Sequence, residues 1–206
     1  MSVPATMDER VFRRVAASGR SANFTAFDFS GFGKPAAVRQ ALRRLVERGK
    51  LARARRGVYF KPRPHPVVGT TGPDTLGVIG KLMERSAAEW QVTGASAANL
   101  LGLSDQVPAR WVVVTSGDYR KVRIGKTEVE FRHAAPRNLL GGGRPAGLVF
   151  QALRYLGEGG ATAARIAHLR DKLDAEVKTE LVELSPFMPR WMQPVIQKIA
   201  GKEALG

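Results

Sequence analysis

Cationic side chains crowd one segment near the start of the chain, and their spacing is regular. From Gly33 to Phe60 the sequence reads Gly-Lys-Pro-Ala-Ala-Val-Arg-Gln-Ala-Leu-Arg-Arg-Leu-Val-Glu-Arg-Gly-Lys-Leu-Ala-Arg-Ala-Arg-Arg-Gly-Val-Tyr-Phe. Apolar residues recur at helical steps as far as Gly49, and a basic tip follows at Arg55-Arg56-Gly57. Guanidinium and ammonium groups suit phosphate oxygens, whereas Arg and Gln can also bond base edges. The segment therefore predicts a helix and a basic β-hairpin that together could hold duplex DNA.

Eight side chains of this segment are candidate DNA contacts. Outward positions on the helix can bond adenine or guanine edges bidentately. Cations on the hairpin would contact phosphates or a minor groove and fix position without reading sequence. The candidates are Lys34, Arg39, Gln40, Arg43 and Arg44 on the helix, and Arg53, Arg55 and Arg56 on the hairpin. Arg44 has an equally good alternative role, since a cation near a helix C-terminus complements the dipole, and we expect the Tyr59 ring to pack in the core.

The net charge of +15 is unevenly distributed along the 206 residues. Residues 1–66 contain 15 Lys and Arg against four Asp and Glu, a net charge of +11, whereas the remaining residues carry only +4. A basic run is usually a solvated face. Here the charge asymmetry, the helical spacing and the basic hairpin agree, and together they favour double-stranded DNA as the partner.

Other kinds of chemistry find little support in the sequence. The chain has no cysteine, and its three histidines, His65, His133 and His168, lie far apart without metal-binding spacing. Gly141-Gly-Gly143 lacks the Lys-Ser/Thr that a phosphate-binding loop needs, so we interpret it as a hinge. No apolar run approaches the roughly 20 residues of a membrane span, and the N-terminus lacks the apolar core of a signal peptide. We expect a cytoplasmic protein that is not an enzyme, with no metal and no cofactor.

The elements that must position the cations follow from apolar spacing and from turn residues. Thr25 can cap a short second helix, and Pro35 suits the first turn of a third. We expect helices at 8–17, at 26–29 and from Pro35 to Gly49, and strands at 51–54 and 58–60. This is the element order of a winged helix-turn-helix. The alternating prolines of residues 61–66 hold the backbone extended, which predicts a first domain at 1–66 and a second at 67–206.

The second domain is predicted to mix strands and helices, so the whole chain is assigned to the α+β class. Asp74 should cap a helix with an apolar stripe at Leu76, Ile79, Leu82 and Met83. Strands are expected at 90–93, 111–115, 120–124 and 127–132, and helices at 96–101, 148–155, 162–173, 175–184 and 194–200. The 120–132 hairpin turns at Gly125-Lys126. Its register would pair Arg123 with Glu128 and Lys121 with Glu130, so we interpret it as a neutralised sheet edge rather than a DNA contact.

Several segments resemble the AbiEi-type antitoxins. The N-terminal winged helix of that family is matched by Phe24-Thr-Ala-Phe-Asp-Phe29, Ala37-Val-Arg-Gln-Ala-Leu-Arg-Arg-Leu-Val46, Gly49-Lys-Leu-Ala-Arg53 and Arg56-Gly-Val-Tyr59. Its second domain is similar at Thr93-Gly-Ala-Ser-Ala-Ala98, Trp111-Val-Val-Val-Thr115 and the Lys121 to Phe131 hairpin. The likeness spans roughly residues 8–135, and the helical tail matches less distinctly.

The resemblance implies an antitoxin and autorepressor of a type IV toxin-antitoxin pair. Such a protein would bind inverted repeats in its own promoter through the winged helix and would carry antitoxin activity in its C-terminal domain. The partner implied is a nucleotidyltransferase-like toxin, with which no stable complex is required. The sequence leaves the oligomeric state, the operator and the toxin open.

Two alternatives remain open at the level of sequence. A protein-docking module could use the tryptophans and methionines Trp90, Trp111, Met188, Trp191 and Met192. An RNA-binding accessory protein would use the same cations without sequence preference. The sequence preference and salt dependence of binding separate these possibilities.

Overall fold

The chain folds into two compact units of the α+β class, as the sequence predicts. The computed structural model describes residues 5–19, 22–65, 69–84, 86 and 88–201. The N-terminal unit comprises Met1–Ala87 and Arg123–Thr127, and the C-terminal unit comprises Ala88–Val122 and Glu128–Gly206. The helices are α1 Met7–Ala16, α2 Pro35–Glu47, α3 Thr75–Met83, α4 Ala95–Leu100, α5 Pro145–Leu156, α6 Ala163–Lys172, α7 Ala175–Leu184 and α8 Met192–Ile199. The strands are β1 Asn23–Phe24, β2 Ala52–Arg55, β3 Val58–Phe60, β4 Pro64–His65, β5 Gly69–Thr70, β6 Trp90–Thr93, β7 Arg110–Thr115, β8 Arg120–Ile124 and β9 Thr127–His133.

Helix α1 begins at a capping box that the sequence analysis did not identify. The Thr6 backbone N–H donates to Glu9 Oε2 at 2.8 Å, and the Glu9 N–H donates to Thr6 Oγ1 at 3.3 Å. Two otherwise unsatisfied donors of the first turn are thereby paired. Val11 and Val15, four residues apart, are buried as expected. The helix starts one residue earlier than predicted because Thr6, rather than Met7, takes the cap position.

Helix α2 confirms the predicted apolar face. Val38, Ala41, Leu42 and Leu45 are all at most 3% exposed. Pro35 occupies the first turn, where its missing N–H costs nothing. The helix ends in a Schellman motif, in which the N–H of Gly49 (φ +66°) bonds Val46 O and the Lys50 N–H bonds Leu45 O, each at 2.9 Å. This stop turns the chain directly into β2.

The segment between α1 and α2 forms a strand and a 3-10 helix. The 3-10 helix runs Ala26–Phe32, longer than the predicted 26–29. Asp28 Oδ2 accepts hydrogen bonds from the Thr25 N–H at 2.6 Å and from Thr25 Oγ1 at 2.9 Å, which fixes the helix start. Strand β1 was not predicted, because two residues are too short to show a period.

The three-stranded sheet of the N-terminal unit has the order β1-β3-β2. Both neighbours of β3 run antiparallel to it, with Phe24 opposite Tyr59 and Arg53 also opposite Tyr59 from the other side. The Tyr59 ring is 8% exposed and lies in the core, as predicted. As far as β3, the element order in this unit is helix, strand, short helix, helix and hairpin.

The boundary between units differs from the predicted one at residue 66. Helix α3 belongs to the N-terminal unit because two side chains of that unit hold it. Asn23 Nδ2 donates to Asp74 O at 3.3 Å, and Lys81 Nζ lies 2.7 Å from Asp28 Oδ1. Asp74 caps α3 through the Gly77 N–H as expected. The proline-rich segment therefore runs within a unit, where Pro64–His65 pairs with Gly69–Thr70.

The buried face of α3 also differs from the predicted stripe. Val78, Ile79 and Met83 are buried, whereas Leu76 and Leu82 are only half-buried. The predicted stripe included Leu76 and Leu82 and omitted the β-branched Val78. The buried face of α3 is therefore rotated about the helix axis relative to the predicted face.

The C-terminal unit combines a sheet with five helices. The four strands follow the order β6-β7-β9-β8, with β6 antiparallel and β9 parallel to β7. Helices α4 to α8 enclose an apolar core of fully buried side chains, among them Phe150, Leu169, Leu181 and Ile196. The predicted helix positions in this part are confirmed to within a few residues.

The glycine triplet that we interpreted as a hinge serves a close approach. Gly141 (φ +66°) is buried, and a Cβ added there would lie 2.6 Å from the Gly147 backbone nitrogen at the start of α5. The Gly143 N–H donates to Trp90 O at 2.6 Å. Two of the three glycines thus let the backbone turn and pack against α5 and β6.

Candidate nucleic-acid interface

The outward face of α2 presents polar and cationic side chains side by side. Lys34 lies at the N-cap position, and Arg39, Gln40 and Arg43 follow within the helix, with Arg43 three and four residues after Gln40 and Arg39. All four are exposed, because the opposite face of the helix supplies the core. The structure thus brings together the four positions that the sequence assigned to base contact. Among them are the two residue types that bond purine edges bidentately.

Arg43 is held by a weak partner within the same helix. Its Nε lies 3.1 Å from Glu47 Oε1 one turn later, and the two side chains are 69% and 58% exposed. An exposed pair at this spacing contributes only about 0.3–0.5 kcal/mol. Arg43 can therefore exchange Glu47 for another acceptor at little cost.

Arg44 has a different environment from Arg43, although the two are adjacent. Its Nε and Nη2 donate to both oxygens of Asp8, with the shortest bond 2.6 Å from Nη2 to Oδ1. Asp8 is 7% exposed, and Arg48 Nη1 lies 3.3 Å from its Oδ2. The hydrogen bonds that Arg44 donates to the Asp8 carboxylate raise the pKa of Arg44 above its ordinary value. Asp8 thus ties the second half of α2 to the first turn of α1.

The basic hairpin is shorter at its tip than predicted. Arg55 pairs with Val58, so only Arg56 and Gly57 form the turn, and Gly57 takes φ +83°. Arg53 and Arg56 are exposed, whereas Arg55 lies in β2 and is half-buried. The Arg53 guanidinium lies 5.9 Å from the Tyr59 ring centroid, which orients it across the strand pair. Arg53 and Arg56 are the hairpin cations that the structure leaves most accessible.

Aromatic rings lie beside three further cations outside the eight candidates: Arg10 and Lys50, which the sequence did not single out, and Lys61, which it suggested as a possible phosphate contact on the hairpin. Lys50 and Lys61 both lie over Phe12, with their Nζ atoms 5.9 and 5.6 Å from the ring centroid. Arg10 stacks on Phe32 at 4.9 Å and donates to its carbonyl oxygen. These contacts join residues far apart in sequence, so spacing alone could not reveal them.

The tip of the β8–β9 hairpin is also part of the N-terminal unit. A register shift between Arg53 and Arg55 leaves Ala54 as an irregularity in β2, and Ala54 O accepts the Gly125 N–H at 3.0 Å. A Cβ added to Gly125 would lie 3.3 Å from the Pro73 ring, so the tip is closely seated. This contact sets the hairpin tip beside the strand that carries Arg53.

The cations of the β8–β9 hairpin are not neutralised in the way we expected. Glu130, the expected partner of Lys121, forms ion pairs with Arg132 at 3.1 Å and Arg110 at 3.6 Å. Arg123 and Lys126 are exposed, and neither forms an ion pair within the described part of the chain. The interpretation of this hairpin as a purely neutralised sheet edge was therefore wrong for its tip.

Comparisons with known proteins place the chain in a family. A family model matches residues 10–181, most of the chain. The chain belongs to the DUF6088 family. That family is described as one of unknown function. The DUF6088 match includes α2, the basic hairpin and the β8–β9 hairpin.

One solved structure that is similar to this DUF6088 chain is the crystal structure of the Rv2827c protein from Mycobacterium tuberculosis. It is 19% identical, with a TM-score of 0.43, and the match covers 95% of this chain and 76% of that one. No curated protein matches the chain. Within the described ranges no helix is both long and apolar enough to cross a membrane.

Proposed function

We propose that this DUF6088 protein is a sequence-specific, double-stranded DNA-binding transcriptional repressor. The observation that supports this most is the exposed row of Lys34, Arg39, Gln40 and Arg43 on α2, directly followed by a hairpin with exposed Arg53 and Arg56. A helix in the major groove reads base edges, while a flanking basic hairpin holds the backbone. In this proposal the N-terminal unit acts as a winged helix-turn-helix.

The proposal divides the cations by role. Arg39, Gln40 and Arg43 contact base edges, whereas Lys34 and the exposed hairpin cations contact phosphates. Arg44 supports α2 through Asp8 instead of contacting DNA, because its Nε and Nη2 both donate to the Asp8 carboxylate. Arg55, half-buried in β2, is at most a lateral phosphate contact.

The hairpin tip of residues 123–127 adds a third group of phosphate contacts in this proposal. Arg123 and Lys126 are exposed and stand beside β2 through the Gly125–Ala54 hydrogen bond. Counterion release makes each added phosphate contact steepen the salt dependence of binding by about 0.9. The tip would thus raise affinity for every duplex without adding preference for one sequence.

The regulatory role rests on the resemblance to AbiEi-type antitoxins. We propose that the protein binds inverted repeats in its own promoter in the cytoplasm, and that the C-terminal unit carries antitoxin activity against a nucleotidyltransferase-like toxin. The C-terminal unit has its own apolar core, which supports a separable activity. Loss of DNA binding should then leave toxin neutralisation intact.

The protein-docking alternative loses much of its basis. Met188 and Met192 are 4% and 0% exposed and belong to the core of the C-terminal unit. Trp90, Trp111 and Trp191 are each half-buried. The two methionines are therefore not available to a partner, and the RNA-binding alternative is the one that an experiment must separate.

The test measures binding of the full chain to three probes by fluorescence anisotropy. The probes are the protein's own promoter as a duplex, a shuffled duplex of equal length, and the single-stranded RNA of the promoter sequence. Roughly 6 to 10 phosphate contacts should lower affinity about 10³- to 10⁵-fold between about 50 and 200 mM salt. Tighter binding to the promoter duplex supports the proposal. Equal affinity for both duplexes contradicts it, and tighter RNA binding favours the alternative.

A further inference from the structure

The C-terminal unit contains an open cleft whose lining is cationic. The cleft has a volume of about 550 Å³, within the range of small-molecule sites. It is lined by the ends of β6 and β9, the segment that leads to α5, and one face of α5. The polar side chains that line it include Thr93, Arg132, His133, Asn138, Arg154 and Tyr155. Among the residues that the structure describes, no acidic side chain lines the cleft.

A chain of side-chain hydrogen bonds fixes the floor of this cleft. Gln151, which is 2% exposed, accepts a bond from Thr93 Oγ1 at 2.8 Å and donates through Nε2 to the Asn138 carbonyl oxygen. Asn138 Oδ1 in turn accepts from Arg154 Nη1 at 2.8 Å. These bonds connect β6, α5 and the segment before α5. The cleft is thus preformed and needs no rearrangement of its floor to receive a ligand.

Positive charge dominates the walls. Arg154 is exposed and has no acidic partner within the described residues, since its hydrogen bond goes to a neutral amide. Arg132 pairs with Glu130, but Glu130 is shared with Arg110. The Arg132 guanidinium holds the pKa of Glu130 below its usual range, so this carboxylate is ionised near neutral pH. The three arginines and one glutamate leave a net positive charge, which favours an anion.

A flat ring adjoins the cations. Tyr155 is 50% exposed and lies on the same face of α5 as Gln151, one turn later. It borders Gly94, where an added Cβ would lie 3.9 Å from the Tyr155 Cδ2 atom. An exposed tyrosine ring beside two guanidiniums suits a ligand that has both an anionic group and a planar ring.

We propose that this cleft binds a mononucleotide, with the phosphate at Arg132 and Arg154 and the base stacked on Tyr155. The site shares no residue with the DNA-binding surface proposed above, because all of its residues belong to the C-terminal unit. It does not depend on whether the N-terminal unit binds DNA.

Calorimetric titration of the full chain tests this assignment. The probes are adenosine monophosphate, inorganic pyrophosphate and adenosine. Adenosine monophosphate should bind with a Kd of about 1 mM or tighter, pyrophosphate more weakly, and adenosine not measurably. Failure of adenosine monophosphate to bind at about 5 mM overturns the proposal.

Three variants assign the binding to the cleft. Arg154→Gln should weaken both phosphate-bearing probes by about 10-fold or more, because a charge-assisted contact is lost. Tyr155→Leu should weaken adenosine monophosphate about 5-fold or more and leave pyrophosphate unchanged, because only the base stacks. The matched control is Arg170→Gln, an exposed arginine of α6 in the same unit, and it should change neither.

Two outcomes contradict the assignment even if binding occurs. If Arg170→Gln weakens binding as much as Arg154→Gln, the anion responds to overall charge and not to this cleft. If Tyr155→Leu affects neither probe, the site takes phosphate without a base. Since Arg154 also bonds Asn138, Arg132→Gln serves as a second variant, and both must retain the wild-type melting temperature.

Discussion

Truncation of the adjacent residues Arg43 and Arg44 should affect different properties. Arg44→Ala should lower the stability of the N-terminal unit, whereas Arg43→Ala should change the preferred DNA sequence. Arg44→Ala removes the bidentate contact that joins α2 to Asp8. Among the described residues, Asp8, a buried carboxylate, then keeps only its ion pair with Arg48 at 3.3 Å. Hydrogen bonds between charged groups contribute about 1.5–3 kcal/mol. Because the Arg44 side chain is 38% exposed, solvent screening reduces this, and we expect a loss of about 1–2 kcal/mol.

Thermal and urea unfolding of the full chain measure this loss. For a unit of this size about 1–2 kcal/mol corresponds to a midpoint roughly 4–16 °C lower for the N-terminal transition. Arg43→Ala is the matched control, because it removes only an exposed ion pair and should change stability by less than about 0.5 kcal/mol. Arg44→Lys should be intermediate, since an ammonium keeps the charge but not the two-pronged contact.

The reasoning fails if Arg44→Ala leaves the unfolding free energy unchanged. It also fails if Arg44→Ala alters the preferred DNA sequence in the way that Arg43→Ala does. The first result would remove the structural role of the Arg44–Asp8 contact, and the second would return Arg44 to the set of DNA contacts. DNA preference is therefore measured at saturating protein concentration and below the unfolding temperature, so that a loss of stability is not mistaken for a loss of DNA contact.

Three further predictions concern phosphate contacts and acid stability. Arg56→Ala should weaken binding to all duplexes alike and make the salt dependence shallower by about one, measured by anisotropy across a salt series. The double change Arg123→Gln with Lys126→Gln should make it shallower by about two, and an unchanged slope would exclude the hairpin tip from the interface. Burial raises the pKa of Asp28, but hydrogen bonds from Lys81 and Thr25 outweigh it and lower that pKa. The stability that Asp28 contributes is therefore present above its unfolded-state pKa of about 3.9 and is lost as pH falls through its folded-state pKa. Asp28→Asn should remove this contribution, so the unfolding free energy measured in urea should change less between neutral and acid pH than in the wild type.

Apolar spacing and turn residues correctly predicted those parts of the N-terminal unit that depend on interactions between sequence neighbours. The core face of α2 followed from three- and four-residue apolar spacing, and its end followed from Gly49, whose positive φ a helix stop requires. The basic hairpin followed from Gly57 between two short apolar strands. These features depend on neighbours in sequence, so a single sequence contains them.

The remaining features depend on contacts between distant residues. Asp8 meets Arg44 across 36 positions, and Gly125 meets Ala54 across an even longer separation. The proline-rich segment suggested a domain boundary by composition, but Asn23 and Lys81 tie the following helix back to the first unit. A proline-rich composition indicates an extended backbone, but it does not indicate which distant side chains contact each other.

The candidate site shows the same division. Spacing identified Arg39, Gln40 and Arg43 as outward residues, and the structure has them exposed on α2. Spacing could not show that Arg44 differs from these residues, because its partner Asp8 lies on another helix. The cleft beside Tyr155 also required the fold, since its lining comes from β6, β9 and α5.

The central claim is that α2 reads base sequence, and the most direct test is selection of preferred sites from a random duplex library. Wild-type protein and Arg43→Ala are compared, with Arg56→Ala as the control for lost positive charge. We expect a defined preferred site for the wild type, relaxed preference at one position for Arg43→Ala at a cost of about 1–3 kcal/mol, and an unchanged site for Arg56→Ala. A wild-type selection that yields no preferred sequence, or an Arg43→Ala selection identical to the wild type, would contradict the account.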